Sequence, residues 1–267
     1  MKYSVCGALF SIALMMTAGM SEAQQMTGSV LEPSEQNLGL TWQGASVVMP
    51  GWEGKLSALP AQSGEKRPLV IFMHGSSGIA PFVKEYQHFL AHDLGLASIA
   101  PDSMAIPDRL NYTSPIDKPT YERVHTLRLG ELTYAFEHAA QLPWVDPKRI
   151  IIIGTSEGSV PIARFADLRP LARVIYSWSC EDNYFVESHR TAIPLATPVL
   201  SVIAAKDPYF SPDNPWNAEY HVRGTCTQAL KGHQSAMVVT VASDKHTILN
   251  FPDVQAVSRV FLERVLK

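Results

Sequence analysis

Gly154-Thr155-Ser156-Glu157-Gly158 fits the pattern Gly-x-Ser-x-Gly, and the four residues before it, 150–153, are all isoleucine. A β-branched run of that kind reads as a strand buried on both faces, and the glycines permit a sharp turn after it. A serine held at the tip of such a turn can attack a carbonyl carbon. The bare five-residue pattern is weak, because turns collect glycine and serine, and an ordinary turn serine is the bland alternative. Context favours the nucleophile: a hydrophobic strand runs in, and residues 158–167 can run out as a helix.

A serine hydroxyl at neutral pH needs a base to take its proton, a group to orient that base and donors for the oxyanion. On a strand–turn–helix scaffold these follow in the order nucleophile, acid, histidine. Residues 200–205 form a strand pattern that delivers Lys206-Asp207-Pro208, and residues 238–241 lead to Ser243-Asp244-Lys245-His246. We therefore assign Asp207 as the orienting carboxylate and His246 as general base and then general acid. His189, His221 and His233 are rival bases; Glu181, Asp182, Asp213 and Asp244 are rival acids. Taken alone, Asp207 reads as a turn former, and only its partners raise it above that.

The expected oxyanion donors are the backbone N–H of Glu157 and that of Ser76, with Ser77 next to it, in the loop His74-Gly75-Ser76-Ser77-Gly78. His74 reads as structural, since His246 already supplies the base. The Glu157 carboxylate is unusual beside a developing negative charge. It points away, caps the following helix, or favours a cationic or hydrogen-bonding substrate, and the sequence leaves these open. Ser77, Arg109 and Tyr112 are weaker candidates for substrate contact. Tyr209, Phe210, Trp216 and Tyr220 lie beside the acid and are candidates to line an acyl or aryl pocket; the alternative is that they cover the core edge.

The elements that must position these residues alternate. Strands are expected at 45–49, 54–59, 68–73, 96–100, 150–153, 172–178, 199–205 and 236–241. Between them, Pro81 suits the start of a helix carrying Phe82, Tyr86, Phe89 and Leu90 on one side. A strongly amphipathic helix follows, with Val124, Leu127, Leu132, Ala135, Phe136 and Ala139 at helical spacing, and residues 254–265 close the chain as another. Residues 104–119 are the least regular, with Pro107, Pro115 and Pro119 denying a long helix. Alternation of this kind implies an α/β architecture: a doubly wound, mostly parallel sheet with helices on both faces. Sites in such sheets gather beyond the carboxyl ends of the strands.

The chain has 267 residues, 46% hydrophobic and 18% charged, which suits one large domain with a substantial core. Its net charge of -3 and lack of a Lys/Arg run argue against a nucleic-acid partner. Lys2, an apolar stretch over 5–18 and Ser21-Glu22-Ala23 read as a signal peptide cleaved after Ala23, leaving no stable membrane insertion. An uncleaved anchor is the alternative, though the run is short for a span of about 20 residues. This divides the chain into a signal peptide at 1–23, a polar, loosely held lead-in at 24–44 and a catalytic domain at 45–267. Export to a periplasm or the medium leaves Cys180 and Cys226 as an even pair, so a disulfide between them is expected, with two buried free thiols as the alternative.

With these residues in place, the chain resembles an α/β-hydrolase over about 55–266, and within that fold the dienelactone hydrolase-like group. The resemblance rests on the His-Gly-x-x-Gly loop at His74, Pro101-Asp102-Ser103, the lead Val145-Asp146-Pro147-Lys148-Arg149-Ile150, and the placements of Asp207 and His246. One departure matters. Dienelactone hydrolases proper use a cysteine nucleophile, whereas this chain has Ser156. The resemblance therefore implies Ser–His–Asp acyl transfer on a small-molecule ester, with no metal or other cofactor, and it does not name the acyl group. A serine peptidase or amidase, and a non-catalytic binding module, are the competing expectations.

Overall fold

A computed structural model describes residues 26–267 except Ser63; the expected signal peptide lies outside the described residues. Among the described residues, ten strands and five α-helices follow one another. They are β1 (Met26–Thr27), α1 (Glu35–Gln43), β2 (Ser46–Met49), β3 (Trp52–Lys55), β4 (Arg67–Met73), α2 (Pro81–His88) and β5 (Ala97–Ala100). After these come β6 (Asn111–Tyr112), α3 (Lys118–Ala140), β7 (Val145–Thr155), α4 (Ser159–Arg164), β8 (Ala172–Tyr176), β9 (Val199–Ala204), β10 (Ala236–Val241) and α5 (Pro252–Leu266).

Eight strands make one sheet in the order β3-β2-β5-β4-β7-β8-β9-β10. Strand β2 runs antiparallel to both its neighbours, and the remaining pairs are parallel. The central strands show why the isoleucine run is needed. Leu69, Ile71 and Met73 of β4 and Ile150 and Ile152 of β7 face α3 and α4 in one core layer. Val70, Phe72, Ile151 and Ile153 face α2 and α5 in the other. Both faces are dry, so alternation of polar and apolar residues is replaced by a continuous apolar run. This is the doubly wound, mostly parallel sheet with helices on both faces that the sequence pattern implies.

Several boundaries differ from expectation, each for a local reason. Residues 24–44, read as a loose lead-in, include a helix. Ser34 caps α1, its Oγ accepting from the Asn37 N–H at 3.2 Å. Before it, β1 pairs antiparallel with β6, Met26 opposite Tyr112, and Val30 bridges to Arg109. Polar composition concealed this because Met26, Val30, Leu31 and Leu38 are scattered among polar residues, yet they pack with Val124 and Leu127 of α3 in one apolar cluster. The second expected strand stops at Lys55 and continues as one 3-10 turn, Leu56–Ala58. The helix after Ser156 ends at Arg164, three residues short of the predicted end.

Cys180 and Cys226 form a disulfide with Cα atoms 4.8 Å apart and 46 residues of separation. It ties the loop after β8 to the segment before β10. On the chain-entropy account a loop of that length contributes about 4 kcal/mol. Reduction under native conditions is therefore expected to lower the urea midpoint markedly, as followed by tryptophan fluorescence; equal midpoints for oxidised and reduced protein would contradict that role. No helix among the described residues is long and apolar enough to cross a membrane.

Candidate active site

Three parallel strands release their chains at the same edge of the sheet, and each release carries one reactive group. At the end of β7, Ser156 sits at φ 54°, in the left-handed region that L-residues other than glycine rarely occupy. The flanking glycines explain how the strain is tolerated. A Cβ on Gly154 would lie 2.2 Å from the Gly158 carbonyl oxygen, and one on Gly158 would lie 2.2 Å from that of Met73. No side chain fits at either position, so the strand and the following turn can close tightly only with glycine there.

Ser156 Oγ lies 2.8 Å from His246 Nε2, and His246 Nδ1 lies 2.8 Å from Asp207 Oδ2. Asp207 follows β9 and is fully buried. Its second oxygen accepts the N–H groups of Tyr209 at 2.9 Å and Phe210 at 3.1 Å, which fixes the carboxylate plane. The loop after β10 is anchored by the Ser177 hydroxyl, which donates to the His246 carbonyl at 2.6 Å. With Nδ1–H donated to the carboxylate, Nε2 is the acceptor that faces the serine. The arrangement can deprotonate a serine hydroxyl and return the proton to a leaving group.

Ser156 and His246 open into a cavity of about 360 Å³. Ser76, Ser77, Tyr112 and Tyr209 line it. The loop before Ser76 passes close, since a Cβ on Gly75 would lie 3.3 Å from the Ser156 Cβ. The Glu157 amide belongs to the first turn after Ser156, where N–H groups lack intrahelical acceptors. Two further candidates sit elsewhere. Trp216 is outside the cavity wall and 37% exposed, packed edge-on to Tyr184 at 5.1 Å. Arg109 is 2% exposed and turns away from the cavity toward Glu157.

That turn answers what the Glu157 carboxylate does. Its Oε1 receives Arg109 Nη2 at 2.8 Å and lies 3.3 Å from Arg128 Nε, and its Oε2 receives the Tyr112 hydroxyl at 2.6 Å. Arg128 also pairs with Glu131 one helical turn along α3, at 2.5 Å. Ser103 completes the cluster, donating to Glu131 and accepting from Arg109 Nε. Two arginines and two glutamates are thus buried together with no net charge, the condition under which buried ions are tolerated. Burial acts to raise the Glu157 carboxyl, but Arg109 and Arg128 outweigh it and hold the group below the usual carboxylate range. The cluster also holds the oxyanion loop, because Arg128 Nη2 donates to the His74 carbonyl at 2.7 Å.

His74 is structural, as its neighbours show. Its Nδ1–H donates to the Gly75 carbonyl at 2.7 Å and its Nε2 accepts from the Ser103 N–H at 3.0 Å, which fixes one neutral tautomer. Burial, and then the Arg128 charge, push its pKa well below the usual histidine value. His125 of α3 is similar: burial lowers it to about 4, against the opposing effect of its 2.9 Å bond to the Phe185 carbonyl. Both histidines accept protons near 6.5 once unfolded, so the unfolded chain binds more protons below that pH. Stability is therefore expected to fall as pH drops from 6.5 toward 4. A series of urea midpoints checks this, and a flat profile across that window would contradict the neutral assignments.

Sequence reasoning did not single out Ser114, Tyr184 and Phe185, which also line the cavity. The aromatic pair after β8 was the available signal. Among the described residues, no group of three or more His, Cys, Asp or Glu side chains is placed to hold a metal ion.

No protein-family model and no curated protein sequence matches the chain. Solved structures do. The esterase Est1E from Butyrivibrio proteoclasticus, determined with ferulic acid bound, aligns over 83% of this chain and 93% of its own at 16% identity, with a TM-score of 0.50. Esterase PE8 aligns over 78% and 96% at 18% identity, also at 0.50. An Arctic intertidal metagenomic esterase, described as cold-adapted, covers 76% and 85% at 14% identity and 0.50. Identities this low speak to architecture and leave the chemistry to the residues of this chain. The sheet order, the single antiparallel strand β2 inside it and these likenesses together show that the protein has the α/β-hydrolase fold.

Proposed function

We propose that the protein is an exported serine hydrolase that cleaves carboxylic esters. The observation that carries this reading is the hydrogen-bonded line Ser156–His246–Asp207 opening into a cavity of small-molecule size. Ser156 Oγ attacks the ester carbonyl carbon while His246 Nε2 takes the hydroxyl proton. Asp207 keeps the imidazole oriented and stabilises the imidazolium that forms. The carbonyl oxygen gains negative charge opposite the N–H groups of Glu157 and Ser76. Collapse releases the alcohol with the proton returned by His246, and water then cleaves the acyl-enzyme by the same route.

The cavity is at the small end of ligand sites, which favours soluble esters with short or compact groups. The fold shared with known esterases supports the reaction class. Export rests on the character of residues 1–23 and is supported by the disulfide, since such bridges persist in oxidising compartments. The test is a comparison of matched esters and amides of the same acid on the signal-free protein. Faster turnover of the ester by two orders of magnitude or more is expected; equal or faster amide cleavage would move the protein to the amidases.

A further inference from the structure

The cavity wall is uncharged outside the reactive histidine. Among the described residues that line it there is no Lys, Arg, Asp or Glu side chain. The charges behind the wall are already used: Asp207 is buried against His246, and Glu157 is enclosed by Arg109, Arg128 and Tyr112 with none of its surface exposed. An ionic group entering this space would lose water and meet no counter-ion.

Six aromatic rings line the same space: Phe82, Tyr112, Tyr184, Phe185, Tyr209 and Phe210. They come from four separate segments, and all but Phe82 pack against one another or against rings behind them. Phe185 packs edge-on against Tyr121 at 4.5 Å and Phe210 at 5.5 Å, and Tyr184 stacks on Phe210 at 6.2 Å. Rings held this way form a preformed slot that offers faces and edges to another ring.

One hydroxyl in this wall is aimed by a directed chain. The Ile116 N–H donates to the Tyr121 hydroxyl at 3.2 Å, and that hydroxyl donates to Ser114 Oγ at 2.8 Å. Burial pushes the Tyr121 phenol up to about 12, so it stays a donor through the working range. Ser114 keeps its own proton, which the neighbouring Tyr184 hydroxyl or a ligand oxygen can accept, and it lines the cavity.

We propose that the site takes uncharged aromatic esters whose ring carries an acceptor oxygen, a phenol or an ether, and that Ser114 donates to that oxygen. This rests on the ester-hydrolase reading above. The Ser114 bond sets preference among substrates and takes no part in bond breaking.

The test compares 4-methoxy with 4-ethyl compounds, which match in size and differ in the acceptor oxygen. Both arrangements are measured, the methyl benzoates and the phenyl acetates, in wild type and in Ser114→Ala. Intrinsic reactivity cancels when the same substrate ratio is compared between proteins. In at least one series the kcat/KM ratio of methoxy to ethyl is expected to fall about fivefold in Ser114→Ala, the worth of one neutral hydrogen bond. Tyr121→Phe, which removes the donor that orients Ser114, should move the ratio in the same direction and serves if Ser114→Ala does not fold. The 4-carboxylate counterparts should be cleaved about tenfold or more slowly than the methoxy compounds by the wild type. Unchanged ratios in both series, or carboxylates cleaved as well as ethers, would overturn the proposal. Failure to cleave any aromatic ester, with Ser156 still labelled by a fluorophosphonate, would overturn it and leave the serine hydrolase standing. Absence of labelling would remove the hydrolase reading beneath it.

Discussion

Ser156→Ala is expected to lower kcat on p-nitrophenyl esters by about five to six orders of magnitude, with KM changed little. The size follows from what is lost. Oγ is the atom that bonds to the carbonyl carbon, and without it His246 and Asp207 have no proton to move, so the three groups fail together. The residual rate would come from the oxyanion donors and from binding alone. Alanine keeps the Cβ and the strained φ of 54°, and it makes no demand on the space that Gly154 and Gly158 leave open. Thermal unfolding should therefore shift little. A variant that kept turnover within tenfold of wild type would move the nucleophile elsewhere.

Glu157→Ala is expected to have the largest effect on stability, about 5 kcal/mol, or a fall in Tm of about 10–15 °C for a domain of this size. Arg109 and Arg128 would remain buried with only Glu131 between them, and an uncompensated buried charge is among the costliest single changes known. Activity should fall as well, because Arg128 holds the His74 carbonyl at the entrance of the oxyanion loop, and the residue-157 amide, which alanine keeps, loses the side-chain anchor that positions it. The double variant Arg109→Met/Glu157→Leu leaves Arg128 paired with Glu131, and it should recover much of the lost stability. A Tm within 3 °C of wild type for Glu157→Ala would show that water reaches the cluster and that the charges are not isolated.

How far the sequence discloses this arrangement depends on whether each feature is local. The isoleucines before Gly154 signal a strand dry on both faces, and five consecutive residues encode the turn that presents Ser156. Asp207 and His246 stand just past late strands, so chain order alone places them at one edge of the sheet, where they lie 2.8 Å apart. The Glu157 cluster is another matter. It joins the segment after β5, helix α3 and the turn after β7, and nothing near Glu157 in sequence announces Arg109 48 residues earlier. Arg128 and Glu131 look like the solvent side of an amphipathic helix, since a charged pair at that spacing usually faces water. They are buried because the chain carrying Arg109 and Tyr112 crosses over them. That crossing is held by β1 and β6, two-residue strands too short for any periodicity to show. Trp216 shows the reverse case: its proximity to the acid in sequence leaves a pocket wall and a core edge both open, and its ring packs edge-on to Tyr184 outside the cavity wall.

The central claim is that Ser156 is the activated nucleophile, and the most direct measurement is covalent labelling by a fluorophosphonate followed by peptide mass mapping. The account predicts one adduct per chain, on the peptide carrying Ser156, which is lost in Ser156→Ala and suppressed in His246→Ala. No adduct on the folded wild-type protein, or an adduct on another residue that persists in both variants, would contradict it.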